Sequence, residues 1–159
     1  MLKKKLGFTL MELLAVVLII SMLTSIALPK YQRTIERAAS TEALVNLRSL
    51  FESAKRFRAA NSSAPQRLRG LDVSFFDAST QEGNNFALGK YDYTFSPTSI
   101  SACRRTGNYC FVMYYNHPSL GRDTLTCLLS PAGGKYDWLC EALGEEDASL
   151  GANEFIIRG

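Results

Sequence analysis

The amino-acid sequence predicts an α+β protein in which a long amino-terminal helix packs on a small antiparallel β-sheet. Three observations indicate this fold class. An almost unbroken apolar run covers residues 8–28, a helical repeat of apolar residues continues to residue 61, and short runs of aromatic and β-branched residues follow in the second half of the chain. We therefore expect the apolar face of the helix to be covered by the sheet.

Composition narrows the classes of function. The chain has 159 residues, of which 47% are hydrophobic and 21% charged, and its formal net charge is +3. This length fits one domain with an appendage, and so small a charge does not indicate a dedicated nucleic-acid-binding protein. The chain contains one histidine, His117, which leaves few arrangements for metal binding or acid–base catalysis. We expect no enzymatic activity, no metal and no cofactor.

Residues 8–28 are long enough to cross a membrane. This run of 21 residues contains one charge, Glu12, and a helix of that length spans roughly 30 Å. The preceding Lys3, Lys4 and Lys5 predict that the amino terminus stays in the cytoplasm and the rest is exported. A secretory signal cleaved after Ala27 is the alternative, but the early carboxylate and the helical pattern beyond Pro29 favour a retained helix.

The motif at this run resembles the amino terminus of type IV pilins and type II secretion pseudopilins. Its parts are a basic leader ending in Gly7, then Phe8, then Glu12 five places into the mature chain, and Pro29 at the end of the apolar run. The resemblance covers about the first fifty residues. It implies that a prepilin peptidase removes residues 1–7 and methylates the new amino group of Phe8. Many family members have Gly where this chain has Ser21, which affects local helix flexibility rather than the assignment.

Glu12 is the candidate assembly residue. Removal of the leader takes away three lysines, so the formal charge falls from +3 to zero, and the amine of Phe8 becomes a cation near the membrane surface. In a filament of staggered subunits, Glu12 of one subunit can meet the Phe8 amine of a neighbour and set its register, a contribution to specificity more than to stability. The alternative is a snorkelling Glu12 with no role.

The apolar repeat predicts that the helix continues through residues 29–61. Pro29 cannot donate a backbone hydrogen bond and is expected to bend or loosen the helix near the membrane exit. The predicted apolar stripe recurs every three or four residues and consists of Ile35, Ala39, Ala43, Leu47, Leu50, Phe51, Ala54 and Phe57. Turn-forming residues and Pro65 predict the end of the helix after Asn61.

Residues 62–159 are expected to form an exported head. Residues 66–90 read as an irregular connection with a short helix near Phe75 and Phe76. Strands are predicted at residues 91–96, 109–115 and 124–129, with a weaker signal at 155–157.

Four cysteines lie on the exported side, where thiols are oxidised, and they allow three pairings. We favour Cys103–Cys110, which closes a short hairpin-like loop, and Cys127–Cys140. The second pair would clamp a carboxy-terminal loop that resembles the disulfide-bounded region of many type IV pilins. A zinc site built from all four thiolates is the alternative, but the usual short spacings between ligands are absent.

Four weaker signals are interpreted as ordinary surface features. His117 is expected to be solvated, and the stretch 133–135 to be a turn rather than a phosphate-binding loop. Calcium binding by the acidic stretch 145–147 is not favoured because the alternation of a calcium loop is missing. Arg104 and Arg105 are expected to be solvated rather than to bind nucleic acid.

Together, the residues and the resemblance predict a filament subunit. The resemblance implies a single-pass protein of the bacterial inner membrane that moves into an extracellular or periplasmic filament. The expected partners are copies of itself, other pilins, the prepilin peptidase and the inner-membrane assembly machinery. The cysteines favour a pilus over a secretion pseudopilus. The alternatives are a secreted binding or enzymatic domain released after Ala27, and an anchored binding protein that never polymerises.

Overall fold

The computed structural model describes residues 8–65, 68, 70–73 and 83–158. The leader with Gly7, and the short helix expected near Phe75 and Phe76, lie outside these residues. The chain divides into two compact units, one ending at Ala38 and the other beginning at Ala39.

Helix α1 spans Leu10–Asn61 and contains Pro29. In its first part the apolar side chains are exposed, for example Leu10 at 89% and Leu23 at 63%. Within the described residues, α1 is the helix that is long and apolar enough to cross a membrane. A helix that is apolar on all sides requires an apolar environment, which lipid or packed helices provide.

The second unit contains one antiparallel sheet, for which the described residues supply seven strands in the order β1-β2-β3-β4-β5-β7-β6. The strands are β1 Asn85–Leu88, β2 Tyr91–Phe95, β3 Ser99–Arg104, β4 Tyr109–Tyr114, β5 Thr124–Leu129, β6 Glu145–Glu146 and β7 Glu154–Ile156, and helix α2 at Asp137–Leu143 lies between β5 and β6. The α+β fold class is therefore confirmed.

The four predicted strands correspond to β2, β4, β5 and β7, but three strands were not predicted. The region 66–90 is not wholly an irregular connection, because β1 occupies four of its residues and pairs with β2. Strand β3 pairs with β2 and β4 over Ser99–Arg104, and the two-residue β6 pairs with β7. The expected carboxy-terminal loop also contains α2.

The core of the second unit lies between α1 and the sheet. Alternate residues of the strands face inward, so Tyr93, Ile100 and Phe111 are fully buried. The facing part of α1 contributes Ala43, Leu47, Leu50, Phe51 and Ala54. Phe51 stacks on Tyr115, with 4.7 Å between ring centroids. The predicted stripe is thus buried in its central part, whereas Ile35 is 39% exposed.

Residues 70–73 are attached to α1 through Asp72. Arg56 donates two hydrogen bonds to its carboxylate, Nε to Oδ2 at 3.0 Å and Nη2 to Oδ1 at 2.9 Å. Ser53 Oγ donates a further bond to Oδ1, and the Asp72 amide donates to Ser53 Oγ at 3.1 Å. These bonds fix the chain where it returns past the carboxyl end of α1.

Candidate assembly site

Glu12 forms a capping box with Thr9 at the start of α1. The Thr9 amide donates to Glu12 Oε2 at 2.8 Å, and the Thr9 hydroxyl donates to the same oxygen at 3.0 Å. In return, the Glu12 amide donates to Thr9 Oγ1 at 3.3 Å. The two side chains therefore accept hydrogen bonds from backbone N–H groups that have no carbonyl partner in the first turn of a helix.

The role of Thr9 was not recognised from the sequence, although its signal was present. A Ser or Thr followed three residues later by Glu, directly before an apolar run, is typical of a helix start. The capping box orients the Glu12 carboxylate toward the amino-terminal end of α1, next to Phe8. Phe8 itself is 84% exposed, so both groups that the resemblance implies in assembly are accessible at the same end of α1.

The polar side chains within residues 8–28 are satisfied inside the helix. Ser21 Oγ donates to the carbonyl of Leu18 at 2.8 Å, and Ser25 Oγ donates to that of Met22 at 2.7 Å. Thr24 Oγ1 likewise donates to a carbonyl one turn earlier, at 2.7 Å. With these hydroxyls bonded to the backbone, this part of α1 presents no costly unsatisfied side-chain donor to an apolar environment.

The structure pairs the cysteines as Cys103–Cys110 and Cys127–Cys140, the two pairs that the sequence analysis favoured. Cys103 and Cys110 lie directly opposite each other on β3 and β4. The second bridge joins β5 to α2, and both of its residues are fully buried. With all four cysteines in disulfides, the structure does not contain the alternative four-thiolate zinc site.

The stretch 133–135 is part of a loop that binds a carboxylate of its own chain. The amides of Gly133 and Gly134 donate to Asp137, at 2.5 Å and 3.1 Å. Asn108 Nδ2 donates to the same carboxylate at 2.5 Å and to the carbonyl of Pro131 at 3.0 Å. Asp137 thus accepts hydrogen bonds from the amides of this loop and holds the loop before α2.

The expectation that His117 is solvated was wrong, because His117 is only 4% exposed. Its Nε2 lies 3.4 Å from Glu154 Oε1, and its Nδ1 accepts a hydrogen bond from the Ser119 amide at 3.2 Å. The ring of Tyr114 packs edge-on against it, with centroids 4.6 Å apart. The imidazole therefore connects the loop after β4 to β7.

The charged residues that were weighed as ligands form contacts within the chain. Arg158 Nη1 lies 3.1 Å from Glu145 Oε2, and Asp147 accepts bonds from the hydroxyl and the amide of Ser149, which lower the pKa of its carboxyl. In the described part of the chain, no three His, Cys, Asp or Glu residues are grouped to hold a metal. Arg105 Nε lies 3.1 Å from Asp92 Oδ1.

Comparison with known proteins places a family motif on the first part of this chain. Residues 2–28 match the family described as the prokaryotic N-terminal methylation motif, which is the prepilin-type motif of type IV pilins and pseudopilins. Neither the curated proteins nor the solved structures gave a match. The chain therefore carries the amino-terminal motif of a family of structural proteins.

Proposed function

We propose that this chain, a pilin-like or pseudopilin-like precursor by its motif, is a structural subunit that polymerises through α1 into a type IV pilus. The match of residues 2–28 to the prepilin-type motif carries the proposal. In this function the prepilin peptidase cleaves between Gly7 and Phe8 and methylates the Phe8 amine. Residues 1–7 are then the leader, 8–28 the segment for the membrane and the filament, 29–61 the continuation of the helix, and 62–159 the head.

The exposed apolar surface of α1 supports storage in a membrane and later packing between subunits. Assembly would transfer residues 8–28 from lipid into a bundle of similar helices. Because lipid tails are as apolar as these side chains, dehydration contributes little to this step. The specificity of assembly must therefore come from packing and from polar contacts such as that of Glu12.

The position of Glu12 supports its role in register. Its carboxylate is exposed at the start of α1 and is held by Thr9. In the mature chain the Phe8 amine would precede this capping box by one residue, so a neighbouring subunit shifted along the filament could bring its own amine to Glu12. Such a pair would neutralise two groups that are costly in an apolar environment.

The same proposal includes orientation and partners. The amino terminus would be cytoplasmic and the second unit exported, so that the two disulfides form in an oxidising compartment. The partners would be copies of this chain, other pilins and the inner-membrane assembly machinery. The two disulfides, one of which bounds a carboxy-terminal region with α2, favour a pilus over a secretion pseudopilus.

Substitution of Glu12 tests this function. We expect Glu12→Ala and Glu12→Gln to be inserted and cleaved like the wild-type chain but to assemble at least about tenfold fewer filaments, because an uncompensated Phe8 amine disfavours the packed state. Electron microscopy of sheared filaments, with immunoblotting of membrane and filament fractions, measures both steps. Glu141→Gln, which changes an exposed acid on α2, is the matched control. Wild-type numbers of filaments from Glu12→Ala would contradict this role.

Substitution of Gly7 separates processing from assembly. A bulky residue such as Gly7→Leu should leave the leader attached, because the peptidase must bring its catalytic groups close to the scissile backbone. The immunoblot should then show the precursor in the membrane and an empty filament fraction. Normal processing of Gly7→Leu would contradict cleavage at this bond.

A further inference from the structure

Three cations lie directly beyond the apolar run of α1. Lys30, Arg33 and Arg37 are the only Lys or Arg residues between residues 8 and 40. Lys30 follows Pro29, so the three cations occupy the first turns after the segment that is long enough to cross a membrane. All three side chains are exposed.

Helical geometry places these cations on one face. At 3.6 residues per turn, Lys30, Arg33 and Arg37 fall within an arc of about 60° and along about 10 Å of the axis. The helix is continuous there, and Thr34 Oγ1 donates to the Lys30 carbonyl at 3.1 Å. The three residues therefore form what we call the juxtamembrane basic face.

The position of this face matches the depth of lipid headgroups. If residues 8–28 fill the hydrocarbon core, the polar layer, which is roughly 5–8 Å thick on each side, holds about the next five residues of the helix. Lys30 and Arg33 then lie in this layer, and Arg37, about one turn further on, reaches it through its long side chain, which points back toward the amino terminus of the helix. Lysine and arginine side chains extend into this layer, and aromatic rings with a polar tip are enriched there. Tyr31, which is 62% exposed, lies beside Lys30 in the same turn.

We propose that Lys30, Arg33 and Arg37 bind the phosphate groups of anionic phospholipids in the exported leaflet and retain the mature subunit in the membrane before assembly. This inference rests on the proposed function, which puts residue 30 on the exported side. A lipid is the partner because the face lies where phosphate groups are concentrated. Each basic residue near an anionic surface adds to the attraction, and the effect is screened by salt.

Removal of the leader increases the share of the juxtamembrane basic face in the attraction between the chain and the membrane. In the precursor, Lys3, Lys4 and Lys5 supply a second basic segment on the other side of the apolar run. In the mature chain these lysines are absent, and the juxtamembrane basic face is the remaining Lys and Arg charge next to that run. The attraction of lysine and arginine side chains to the membrane would then lie on the exported side, while the Phe8 amine is the cation at the other end of the apolar run.

Lipid selectivity of the mature chain tests the inference. The chain from residue 8 to 159 is purified in mild detergent and mixed with equal amounts of phosphatidylglycerol and phosphatidylcholine, and native mass spectrometry counts the lipids retained. We expect the wild-type chain to retain phosphatidylglycerol preferentially. Each of Lys30→Gln, Arg33→Gln and Arg37→Gln should lower the ratio of the two retained lipids about fivefold, and the triple variant should bring it close to one.

A matched triple variant controls for net charge. Arg48→Gln, Lys90→Gln and Lys135→Gln remove the same number of cations from exposed positions of the second unit and should leave the ratio unchanged. An unchanged ratio in the Lys30, Arg33 and Arg37 triple variant would overturn the inference, as would an equal loss in the control variant. Full displacement of the retained phosphatidylglycerol by inorganic phosphate would also overturn the inference, because it would show binding of free phosphate rather than of a lipid.

Failure of the proposed function would be seen separately. The lipid measurement requires neither cleavage in the cell nor filaments, whereas the Glu12 and Gly7 experiments require both. A further experiment bears on both proposals, because both place Lys30 on the exported side. A membrane-impermeant amine reagent added to intact spheroplasts should label Lys30 in the wild-type chain, and this label should be lost in Lys30→Gln. Absence of labelling in the wild-type chain would contradict both the orientation and the exported-leaflet site.

Discussion

At the scale of single residues, Asp72 makes the attachment of residues 70–73 to α1 dependent on pH. The hydrogen bonds from Arg56, and then that from Ser53, lower the pKa of Asp72 from 3.8 to about 2. Because the pKa is lower in the folded chain, the ionised carboxylate stabilises the fold above pH 3.8, and this contribution is lost as the pH falls through about 2. The pair is exposed, so solvent and salt weaken the effect.

We therefore expect Asp72→Asn to melt at a lower temperature than the wild-type chain at about pH 6 and at nearly the same temperature close to pH 2. Thermal unfolding of the full chain in detergent across this range measures the difference. Asp147→Asn, which removes a carboxylate that accepts hydrogen bonds from Ser149 in its own turn, is the comparison. A difference that stays constant with pH would show that Asp72 acts by packing and not by charge.

Gly144 is required by space rather than by backbone conformation. Its φ of −119° and ψ of 168° suit any residue, but an added Cβ would lie 2.6 Å from Phe155 Cβ and 3.2 Å from the backbone oxygens of Cys140 and Ile156. None of these atoms is the end of a flexible side chain, so we expect Gly144→Ala to cost about 1–3 kcal/mol.

Chemical denaturation measures this cost, with Gly151→Ala as the control because no atom lies within 4 Å of a Cβ added there. Equal stability of the two variants would indicate that the segment between α2 and β6 relaxes freely.

Single residues also show where a local sequence pattern is insufficient to predict whether a side chain is buried. A lone histidine before a proline gives no local sign of burial, and His117 is buried because Glu154, 37 positions later, lies beside it. The capping box of Thr9 and Glu12 is local, because its two residues are three positions apart, and it could be predicted from the sequence.

At the scale of elements, α1 stabilises the second unit through one face. Leu50 is fully buried in the core, whereas Val45, also on α1, is 62% exposed. Leu50→Ala should lower the free energy of unfolding by about 2–5 kcal/mol, since it removes buried methyl groups and leaves a cavity. Val45→Ala should change it by about 0.5 kcal/mol or less. Denaturant unfolding of both variants decides this, and equal effects would contradict the assigned buried face.

The strands that were predicted and those that were missed differ in composition. Strands β2, β4 and β5 contain several aromatic or β-branched residues each, which is the usual signal. Strand β3 reads SISACR, and its inward residues Ile100 and Ala102 are separated by one small polar residue, Ser101. Its pairing with β2 and β4 on both sides, a tertiary effect, determines its conformation. Strand β6 has two residues and exists only through its pairing with β7.

Helix α2 was missed for a similar reason. It has seven residues, which are too few for a clear periodic pattern. The helix is stabilised by contacts with residues that are distant in sequence. Asn108 binds Asp137 at its start, and Cys127 is bonded to Cys140 within it. By contrast, α1 was predictable over its whole length, because an apolar run long enough to cross a membrane is followed by an apolar repeat that continues to Asn61.

At the scale of the whole molecule, the two parts of the chain have different physical roles. The first unit exposes apolar side chains that need lipid or similar helices around them, while the second buries its own core and is cross-linked by two disulfides. The prepilin-type motif lies entirely in the first unit. The motif could be predicted from the sequence because its residues are contiguous, whereas the packing of the second unit depends on residue pairs that are distant in sequence.

The central claim is that the leader is removed at Gly7–Phe8 and that the chain stays in the membrane as an oxidised subunit. The intact mass of the chain isolated from membranes, measured before and after reduction with thiol labelling, tests it most directly. The account predicts a chain that begins at methylated Phe8 and whose four thiols become reactive only on reduction. A chain that begins at Leu28 would contradict the account and would make this protein a secreted soluble domain.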